Sequence, residues 1–403
     1  MLAGKRIVLG VTGGIAAYKA VEVSRRLVDA GAHVVPVMTK GAERFLGTTT
    51  LSALASEPVK TRLWDDPETP IPHTRLGQSA DLVLVAPATA RLIGAYRAGL
   101  STDLLTNVLL ATRAPVMLCP AMHTEMWEHP AVVDNIATLR SWGVHIVDPE
   151  RGRLAGGDTG AGRLASPETI VAAVERVLGP GDLAGVKVLI SAGGTREPID
   201  AVRVIANRSS GKQGYAIAAE AVARGADVTL ISTVDRVAPP GVRVVPVETA
   251  AQMEAAMRDH APTADVVIMS AAVADFRPVV STERKIKKHE GVPEVVLEPT
   301  PDILAGLGER KPVGQILVGF AAETDDLAAN AQRKLAAKHL DLIVANDVGA
   351  AATGFQHDTN AVTLFAQGEP GHEVPLADKR TIAAAVLDRV VALRHGGERE
   401  GAR

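Results

Sequence analysis

The fold of the N-terminal half is decided by the stretch RIVLGVTGGIAAYKAVEVSRRLVDAGAHVVPVMT, residues 6–39. Its beginning, RIVLGVT, is an apolar run that predicts a buried strand. A pair of glycines then leads into an amphipathic helix that ends at Gly31, and a second buried strand, HVVPVMT, follows. Apolar strands that alternate with helices are typical of a parallel sheet covered on both faces, so the stretch predicts an α/β domain.

The same alternation continues through the N-terminal half. Further strands are predicted in ADLVLVAPATA (80–90), APVMLCPAM (114–122) and GVHIVDP (143–149), with helices near 130–141 and 167–178. The segment LGPGDLAG then breaks the periodicity with glycines and a proline. We therefore expect a first domain at residues 1–178 and a linker at 179–185.

The C-terminal half repeats this organisation. KVLISAGGT predicts a strand and a glycine turn, GYAIAAEAVARGA a helix, and DVTLIS the next strand. ADVVIMSAAVADF (264–276) corresponds in position to ADLVLVAPATA, and strands near 316–320 and 341–345 complete the second sheet. The predicted fold class is α/β, with two Rossmann-like domains, each a mostly parallel sheet flanked by helices. The second domain spans 186–395, and a flexible tail occupies 396–403.

Composition limits the classes of function. At 403 residues the chain exceeds what one hydrophobic core usually serves, which supports two domains. An aromatic content of 3% and a formal charge of −3 argue against nucleic acid as a partner. No apolar run reaches the roughly 18 residues of a membrane span, so we expect no membrane association. The single cysteine, Cys119, excludes an intrachain disulfide and suits a cytoplasmic protein.

The first glycine loop does not fit a dinucleotide-binding motif. Its glycines at 10, 13 and 14 do not match GxGxxG, and the second strand ends in Met38 and Thr39 without an acidic residue for a ribose. NAD is therefore disfavoured. A helix that begins at glycines suits a single phosphate, because its free N–H groups and positive dipole end point at the anion. A tight turn without any ligand fits the same residues.

Three motifs in this half resemble those of flavin-dependent cysteine decarboxylases: GVTGGIAAYK, APATA (86–90) and PAMHTEMW (120–127), in the family's order and spacing. The resemblance covers nearly all of residues 5–178. It implies FMN, bound between the protomers of an oligomer. It also implies that Met126 contacts the substrate. The implied FMN contacts are Gly13, Gly14, Thr39, Ala86, Pro87, Ala88 and Thr89.

His73, in PHTRLGQSAD, stands where this family carries its catalytic histidine. By itself a lone histidine is more often an ordinary surface or core residue. The chemistry gives it a task, because the carboxylate of an acylated cysteine cannot leave as CO2 until the CH2–SH group is oxidised to a thioaldehyde. Flavin accepts the hydride, and His73 is expected to manage the thiol proton.

Two positions depart from the family pattern. Where PAMN is typical, this chain has PAMH, which places His123 at the position expected to hold the substrate carboxylate. Where the flap typically reads ACGD, residues 155–158 read AGGD, so Gly156 replaces the cysteine that usually donates the final proton. Another acid would have to donate this proton, and Asp158 and water are the candidates. The surrounding RGRLAGGDTGAGRL fits a mobile lid and an ordinary surface loop equally well.

In the C-terminal half, NRSSGKQG (207–214) is close to a P-loop, but Ala206 and Gln213 break GxxxxGK[ST]. A glycine turn into a helix still suits phosphate, and a capped helix start is the alternative. KIKK (285–288) is by itself a typical solvated charge run. Lys334 and Lys338 share one helical face, so the two basic clusters are candidates for a triphosphate site.

The motifs AGGTREPIDAVRVIANRSSGKQGYAIA, AAVADF, KIKK, TPDIL, GFAAET and LDLIVANDV look like those of phosphopantothenate-cysteine ligase domains. The resemblance spans about residues 186–365. It implies that CTP and Mg2+ activate the pantothenate carboxylate as an acyl-cytidylate, from which cysteine displaces CMP. Asn207 would contact the acyl group, Lys285 would offset developing charge, and Arg203 would reach the pantothenate phosphate. The implied nucleotide contacts are Asp275, Pro301, Asp302, Ile303, Leu304, Phe320, Lys334 and Lys338.

Taken together, the chain resembles the bacterial bifunctional decarboxylase/ligases of coenzyme A biosynthesis. This implies that 4'-phosphopantothenate, cysteine and CTP are converted to 4'-phosphopantetheine. It also implies a homo-oligomer, with ligase dimers and decarboxylase trimers that are compatible with a dodecamer. One alternative is an active ligase with a flavin-binding N-terminal domain that is structural or regulatory. The other alternative, a nicotinamide-dependent dehydrogenase, would need an acidic residue after the second strand, and this chain has none there.

Overall fold

The computed structural model describes residues 2–64, 69–287, 294–323, 327–347 and 357–401. The chain divides into two compact units, Met1–Pro180 and Gly181–Arg403.

The first unit contains a five-stranded sheet in which every strand pairs in parallel. The strand order is β2-β1-β3-β4-β5. The five strands are β1 (Arg6–Val11), β2 (His33–Met38), β3 (Leu82–Ala88), β4 (Val116–Pro120) and β5 (His145–Ile146). The stretch GVHIVDP, predicted as a strand over 143–149, therefore pairs through only two residues.

Helices cover both faces of this sheet. Along β1, Ile7 and Leu9 pack into one hydrophobic cluster and Val8 into the other, because successive strand side chains point to opposite faces. The 3-10 helices are Ile15–Lys19 and Ala42–Arg44. The α-helices are α1 (Ala20–Asp29), α2 (Thr48–Ala53), α3 (Pro72–Ser79), α4 (Ala90–Arg97), α5 (Leu104–Ala111), α6 (Thr124–Trp127), α7 (Pro130–Ser141) and α8 (Pro167–Leu178).

A hairpin lies between β5 and α8. It pairs β6 (Glu150–Arg153) with β7 (Thr159–Arg163) in an antiparallel arrangement. The turn between them contains residues 154–158, where the sequence predicts a flap. We call residues 150–163 the flap hairpin.

The second unit contains an eight-stranded sheet with the order β12-β11-β8-β13-β16-β17-β18-β19. Six strands are parallel, and β18 and β19 add an antiparallel edge that the sequence prediction did not include. The strands are β8 (Lys187–Ala192), β11 (Asp227–Ser232), β12 (Val242–Pro246), β13 (Val266–Met269), β16 (Ile316–Glu323), β17 (Leu342–Asp347), β18 (Thr359–Ala366) and β19 (His372–Asp378).

Two short antiparallel hairpins lie beside this sheet, β9 (Arg196–Pro198) with β10 (Val204–Ala206) and β14 (Phe276–Pro278) with β15 (Leu297–Pro299). The helices are α9 (Lys212–Ala223), α10 (Ala250–His260), the 3-10 helix Ala261–Thr263, α11 (Ile303–Glu309), α12 (Leu327–Ala337) and α13 (Lys379–Gly401). The backbone of α13 continues to Gly401, whereas the sequence predicts a flexible tail from residue 396.

The strand orders place one crevice in each unit. In the first sheet, connections from β1 and β2 leave in opposite directions, which opens a crevice at the carboxyl ends of β1 and β3. In the second sheet the corresponding point lies between β8 and β13. The predicted fold class, α/β with mostly parallel sheets flanked by helices, is confirmed. Within the described part of the chain, no helix is both long and apolar enough to span a membrane.

Candidate functional site

In the first unit, the crevice is built by the loops that follow β1 and β3. The Thr12 hydroxyl donates to the Pro87 carbonyl at 2.7 Å and accepts from the Thr89 N–H at 3.1 Å, which ties the two loops together. Gly13 lies against a third loop, because a Cβ at Gly13 would approach the Gly41 backbone to 2.7 Å. The glycine at 13 is therefore required by a close backbone approach.

Two cavities adjoin at these loops. The larger one, of about 630 Å3, is lined by both loops, by the start of α6 and by the flap hairpin. The smaller one, of about 250 Å3, extends toward β2 and α5. Both are concave sites of the kind that small molecules occupy. Of the predicted residues, the larger cavity contains Gly13, Gly14, Pro87, Thr89, His123 and Met126.

Thr39 lines the smaller cavity, together with Gly13 and Thr89. Ala86 and Ala88, predicted as flavin contacts, are fully buried in β3 and line neither cavity, because they pack into the hydrophobic clusters on the two faces of the sheet. The turn therefore presents Pro87 and Thr89 to the crevice.

Basic side chains line the larger cavity, namely Lys19, Arg153 and Arg163. Burial, and then the neighbouring Arg163 charge, lower the pKa of Lys19 below its ordinary value, although Glu150 and Glu22 act in the opposite direction. A phosphate or carboxylate placed among these groups would relieve their mutual repulsion. The cavity thus combines apolar walls with a cationic side.

The PAMH loop and the flap hairpin are in direct contact. The Met122 N–H donates to the Gly162 carbonyl at 2.9 Å, and the Thr124 hydroxyl donates to the Ala161 carbonyl at 2.7 Å. A Cβ at Gly160 would approach Thr124 Oγ1 to 2.1 Å. The contact therefore depends on small residues in the hairpin.

His123 lines the larger cavity beneath the flap turn. The nearest atom to a Cβ built on Gly156 would be His123 Cε1, at 2.8 Å, and Asp158 Oδ2 would lie 3.5 Å from the same point. The His123 ring therefore lies where a side chain at position 156 would begin. The two departures from the family pattern thus meet in space. Asp158 itself is exposed and lies outside the lining of the cavity.

His73 lies on α3 and outside the lining of both cavities. Its Nδ1 is buried and finds no hydrogen-bond partner among the described residues. The single chain thus does not bring this predicted catalytic residue to the glycine loop.

In the second unit, three loops meet at the crevice between β8 and β13. The Asn207 side chain donates through Nδ2 to the Val273 carbonyl at 2.9 Å. The Thr300 hydroxyl donates to the Ala274 carbonyl at 2.6 Å. These bonds join the loop before α9, the loop after β13 and the turn before α11.

A cavity of about 480 Å3 lies among these loops. The start of α9 borders this cavity, and Gly211 there adopts a left-handed φ of 72°. A Cβ added at Gly214, in the first turn of α9, would lie only 2.6 Å from the Ala192 Cβ. The predicted residues that line the cavity are Asn207, Asp275, Pro301, Asp302, Ile303, Leu304, Phe320, Lys334 and Lys338.

The cavity contains an internal ion pair. Lys338 Nζ lies 2.7 Å from Asp302 Oδ2, and Asp302 Oδ1 accepts from the Ala305 N–H at the start of α11. Burial raises the pKa of Asp302, but the Lys338 ammonium and the Ala305 N–H together hold it below its ordinary value. The Lys338 charge is therefore already partly compensated.

Lys285 and Arg203 lie outside the lining of this cavity. The Arg203 guanidinium donates to the Ile286 carbonyl at 3.2 Å, and the buried Asp200 carboxylate accepts from the Ile286 N–H at 3.2 Å. These bonds hold residues 285–287 beside the hairpin of β9 and β10. Lys288, the last lysine of KIKK, lies outside the described residues.

The sequence prediction missed Lys379, Asn346 and Asn360 as lining residues of this cavity. Lys379 is only 8% exposed. Burial, and then the charge of Lys212, lower its pKa, and Asp358 offsets this only in part. Asn346 lies near the carboxyl end of the apolar strand β17. A polar residue at that end of a parallel strand is a sequence signal for a ligand site. Lys379 follows β19, an edge strand that the pattern did not predict.

Among the described residues, no group of three or more histidine, cysteine, aspartate and glutamate side chains is arranged to hold a metal ion. Cys119 is buried in β4, and burial raises the pKa of its thiol.

Comparison with known proteins connects these sites to a family. Residues 1–179 match the flavoprotein family model, and residues 183–393 match the C-terminal domain of DNA/pantothenate metabolism flavoproteins. The first unit is therefore an α/β flavoprotein domain, and the second is the domain that accompanies it in pantothenate metabolism.

Similar proteins extend over nearly the whole chain. The coenzyme A biosynthesis bifunctional protein CoaBC of Mycobacterium tuberculosis (strain ATCC 25618 / H37Rv) is 48% identical and covers 97% of this chain and 97% of its own length. The protein of the same name from Bacillus subtilis (strain 168) is 45% identical and covers 99% and 100%. The chain belongs to this family of bifunctional coenzyme A biosynthesis proteins.

A solved C-terminal domain of a CoaBC protein is 40% identical, with a TM-score of 0.47, and covers 54% of this chain and 99% of that structure. The family membership confirms the predicted bifunctional enzyme, a phosphopantothenoylcysteine decarboxylase and phosphopantothenate-cysteine ligase. The alternative of a merely structural or regulatory flavin domain is not favoured.

Proposed function

We propose that the second unit joins 4'-phosphopantothenate to cysteine with CTP, and that the first unit decarboxylates the product with FMN to give 4'-phosphopantetheine. The observation that supports this most is the placement of the predicted residues. In each unit most of them line a cavity at the crevice where a sheet of this strand order binds its ligand, although His73, Lys285 and Arg203 lie outside these cavities. The cytoplasmic location stays a prediction.

In the ligase reaction, the pantothenate carboxylate attacks the α-phosphorus of CTP, and pyrophosphate leaves. The amine of cysteine then attacks the acyl carbon of the acyl-cytidylate, and CMP leaves. Lys334, Lys338 and Lys379 bring positive charge to the cavity for the triphosphate. Mg2+ bound to the nucleotide would neutralise further charge on its phosphates. Phe320, Asp275 and the turn Pro301–Leu304 form the remaining nucleotide contacts.

Asn207 is fixed by its bond to Val273 at the side of this cavity, where it contacts the acyl group. Arg203 binds the pantothenate phosphate. Lys285 approaches the reacting phosphate or carbonyl during turnover, since it lies on the segment that Asp200 and Arg203 hold beside the hairpin of β9 and β10, and Asn207 follows that hairpin in the chain.

The residues of the first unit fit FMN. Gly13 allows the close approach of three loops, Gly14 and the turn after it present N–H groups to a phosphate, and Thr39 and Thr89 add hydroxyls. When bound, the flavin accepts and returns a hydride, which makes the thioaldehyde electron sink available. His123 and Met126 hold the substrate, and the basic side of the cavity attracts its anionic groups.

His73 completes the decarboxylase site from a neighbouring protomer, where it manages the thiol proton. One feature supports a neighbouring protomer at this site: large apolar side chains at the cavity are exposed. Ile15 is 62% exposed, Tyr18 60% and Met126 47%. The proposed assembly contains decarboxylase trimers and ligase dimers.

The nucleotide and the flavin are tested separately. Purified protein with phosphopantothenate, cysteine and Mg2+ should release CMP and pyrophosphate from CTP, and much less nucleotide monophosphate from ATP. Equal turnover of ATP would contradict the CTP proposal. Denaturation of the purified protein should release FMN, identified by mass spectrometry; release of FAD or of no flavin would contradict the cofactor proposal.

A further inference from the structure

The decarboxylase must return a proton to the carbon that loses CO2. In the family pattern stated above, an asparagine amide holds the substrate carboxylate and a flap cysteine supplies the proton. In this chain both positions have changed, to His123 and Gly156. The structure shows that these two changes occupy one volume.

A side chain at position 156 would crowd the His123 ring in its present position, so the ring would have to move. Its Cβ would lie 2.8 Å from His123 Cε1 and 3.5 Å from His123 Nε2, whereas ordinary contacts are longer than about 3.4 Å. The histidine ring therefore fills the space in which a flap side chain would project. The two substitutions compensate each other sterically.

They also compensate each other chemically. An amide donates hydrogen bonds but does not give up a proton, whereas an imidazolium does both. A histidine that holds the departing carboxylate lies next to the carbon that needs a proton once CO2 has left. We propose that His123 is the proton donor to this carbon and that Gly156 is the small residue which its ring requires.

The step balances as follows, and it rests on the proposed flavin-dependent decarboxylation. Loss of CO2 from the thioaldehyde leaves an enethiolate, –NH–CH=CH–S⁻. The electron pair of its double bond takes the proton from the His123 imidazolium at the carbon next to nitrogen, which gives –NH–CH2–CH=S. A bound reduced flavin would supply the hydride that the sulfur-bearing carbon then needs, and solvent protonates the resulting thiolate and the imidazole.

Asp158 has a positioning role. Its Oδ2 lies 3.5 Å from the point that a Cβ at 156 would occupy, beside the His123 ring, and its backbone carbonyl closes the flap turn by accepting from the Leu154 N–H at 2.7 Å. In this position the carboxylate can accept a hydrogen bond from the His123 ring and so fix the orientation of the ring toward the cavity. Asp158 thus acts through His123 and does not touch the substrate carbon.

The test uses the full-length flavin-loaded protein with phosphopantothenoylcysteine, and four chains: wild type, His123→Asn, Gly156→Cys, and the double variant. His123→Asn should still release CO2, but it should form phosphopantetheine about 100-fold more slowly and accumulate the enethiol, which is lighter by two hydrogen atoms. The double variant should recover phosphopantetheine, because the cysteine then has both space and a role. Gly156→Cys alone should be impaired by the clash.

Binding provides a readout that is independent of turnover. Calorimetry with a substrate analogue that carries a hydroxyl in place of the thiol should give a similar Kd for wild type and His123→Asn, because the amide still holds the carboxylate. His129→Asn, at the exposed start of α7 and outside the cavity, is the matched control and should match wild type in every assay.

Two outcomes overturn the inference. If His123→Asn forms phosphopantetheine at the wild-type rate, His123 is not the donor. If the double variant stays as slow as His123→Asn and accumulates the same enethiol, the proposed compensation is wrong. Failure of the wild type itself to release CO2 would instead contradict the proposed decarboxylation, so the two failures are distinguishable.

Discussion

At the scale of single residues, two polar side chains line the cavity of the second unit, Lys379 and Asn207. Lys379 is 8% exposed, so burial penalises its charge. Asn207 illustrates a different requirement, since one bond to Val273 fixes its orientation. For each residue, one substitution distinguishes a role in the ligase reaction from a role in folding.

Lys379→Met should stabilise the nucleotide-free protein and weaken CTP binding. The pKa of Lys379 is lowered, so the unfolded chain binds this proton more tightly than the folded chain, and stability rises with pH as pH increases from the lowered pKa toward the ordinary one. Below that window, where the folded chain carries the charged amine, its burial is a penalty that methionine removes. We expect a higher Tm by calorimetry and a Kd for CTP raised about tenfold.

The control for this prediction is Lys187→Met, at the amino end of β8 and outside the cavity, which should leave the Kd for CTP unchanged. A lower Tm together with an unchanged Kd in Lys379→Met would show that this lysine is structural.

Asn207→Asp should stop the ligase after activation. The substitution preserves size but places a carboxylate oxygen near the Val273 carbonyl and a negative charge near the acyl-cytidylate. We expect pyrophosphate release and accumulation of the acyl-cytidylate, with amide formation slowed at least about 100-fold. Mass spectrometry of quenched reactions distinguishes this from unfolding, which would remove both steps. An unchanged rate of amide formation would exclude Asn207 from the reaction.

At the scale of elements, the loops after β1, β2 and β3 form one ligand cradle in the first unit. The Thr12 hydroxyl links two of them, and Gly13 packs on the backbone of the third at Gly41. A larger side chain at either position would push the loops apart, because the neighbouring atoms belong to the backbone.

Gly13→Ala should therefore reduce flavin content strongly. Its methyl group would lie 2.7 Å from the Gly41 carbonyl carbon, so the loops must separate. Gly14→Ala is the matched comparison, since Gly14 has an extended backbone and the nearest atom to its added methyl, Thr89 Cγ2, is 3.7 Å away. The ratio of flavin to protein absorbance measures both. Equal flavin content in wild type and Gly13→Ala would contradict the proposed cradle.

Some strands and loops could be predicted from the sequence, and others could not. The strand of residues 6–11 and the loops after it were predictable, because alternating buried strands and helices leave a repeating pattern and parallel sheets bind ligands at strand ends. β18 and β19 were not predicted, since an antiparallel edge breaks the alternation of strand and helix on which the prediction rested. Lys379 was missed for the same reason, because it begins the helix after that edge.

At the scale of the whole molecule, two units carry two crevices, and family membership confirms the two activities that the motifs predict. The predicted nucleotide contacts Asp275, Phe320, Lys334 and Lys338 line one cavity, although they are far apart in sequence. His73 lies outside the cavities of its own unit, which agrees with the proposal that it serves the site of a neighbouring protomer. In the second unit, more of the predicted residues line the cavity than in the first.

The most direct test of the account is one incubation of the full-length protein with phosphopantothenate, cysteine, CTP and Mg2+, followed by mass spectrometry. We predict 4'-phosphopantetheine with matching release of CMP, pyrophosphate and CO2. His73→Asn in the same incubation should stop at phosphopantothenoylcysteine, with CMP release unchanged. Accumulation of phosphopantothenoylcysteine by the wild type, without loss of CO2, would contradict the account.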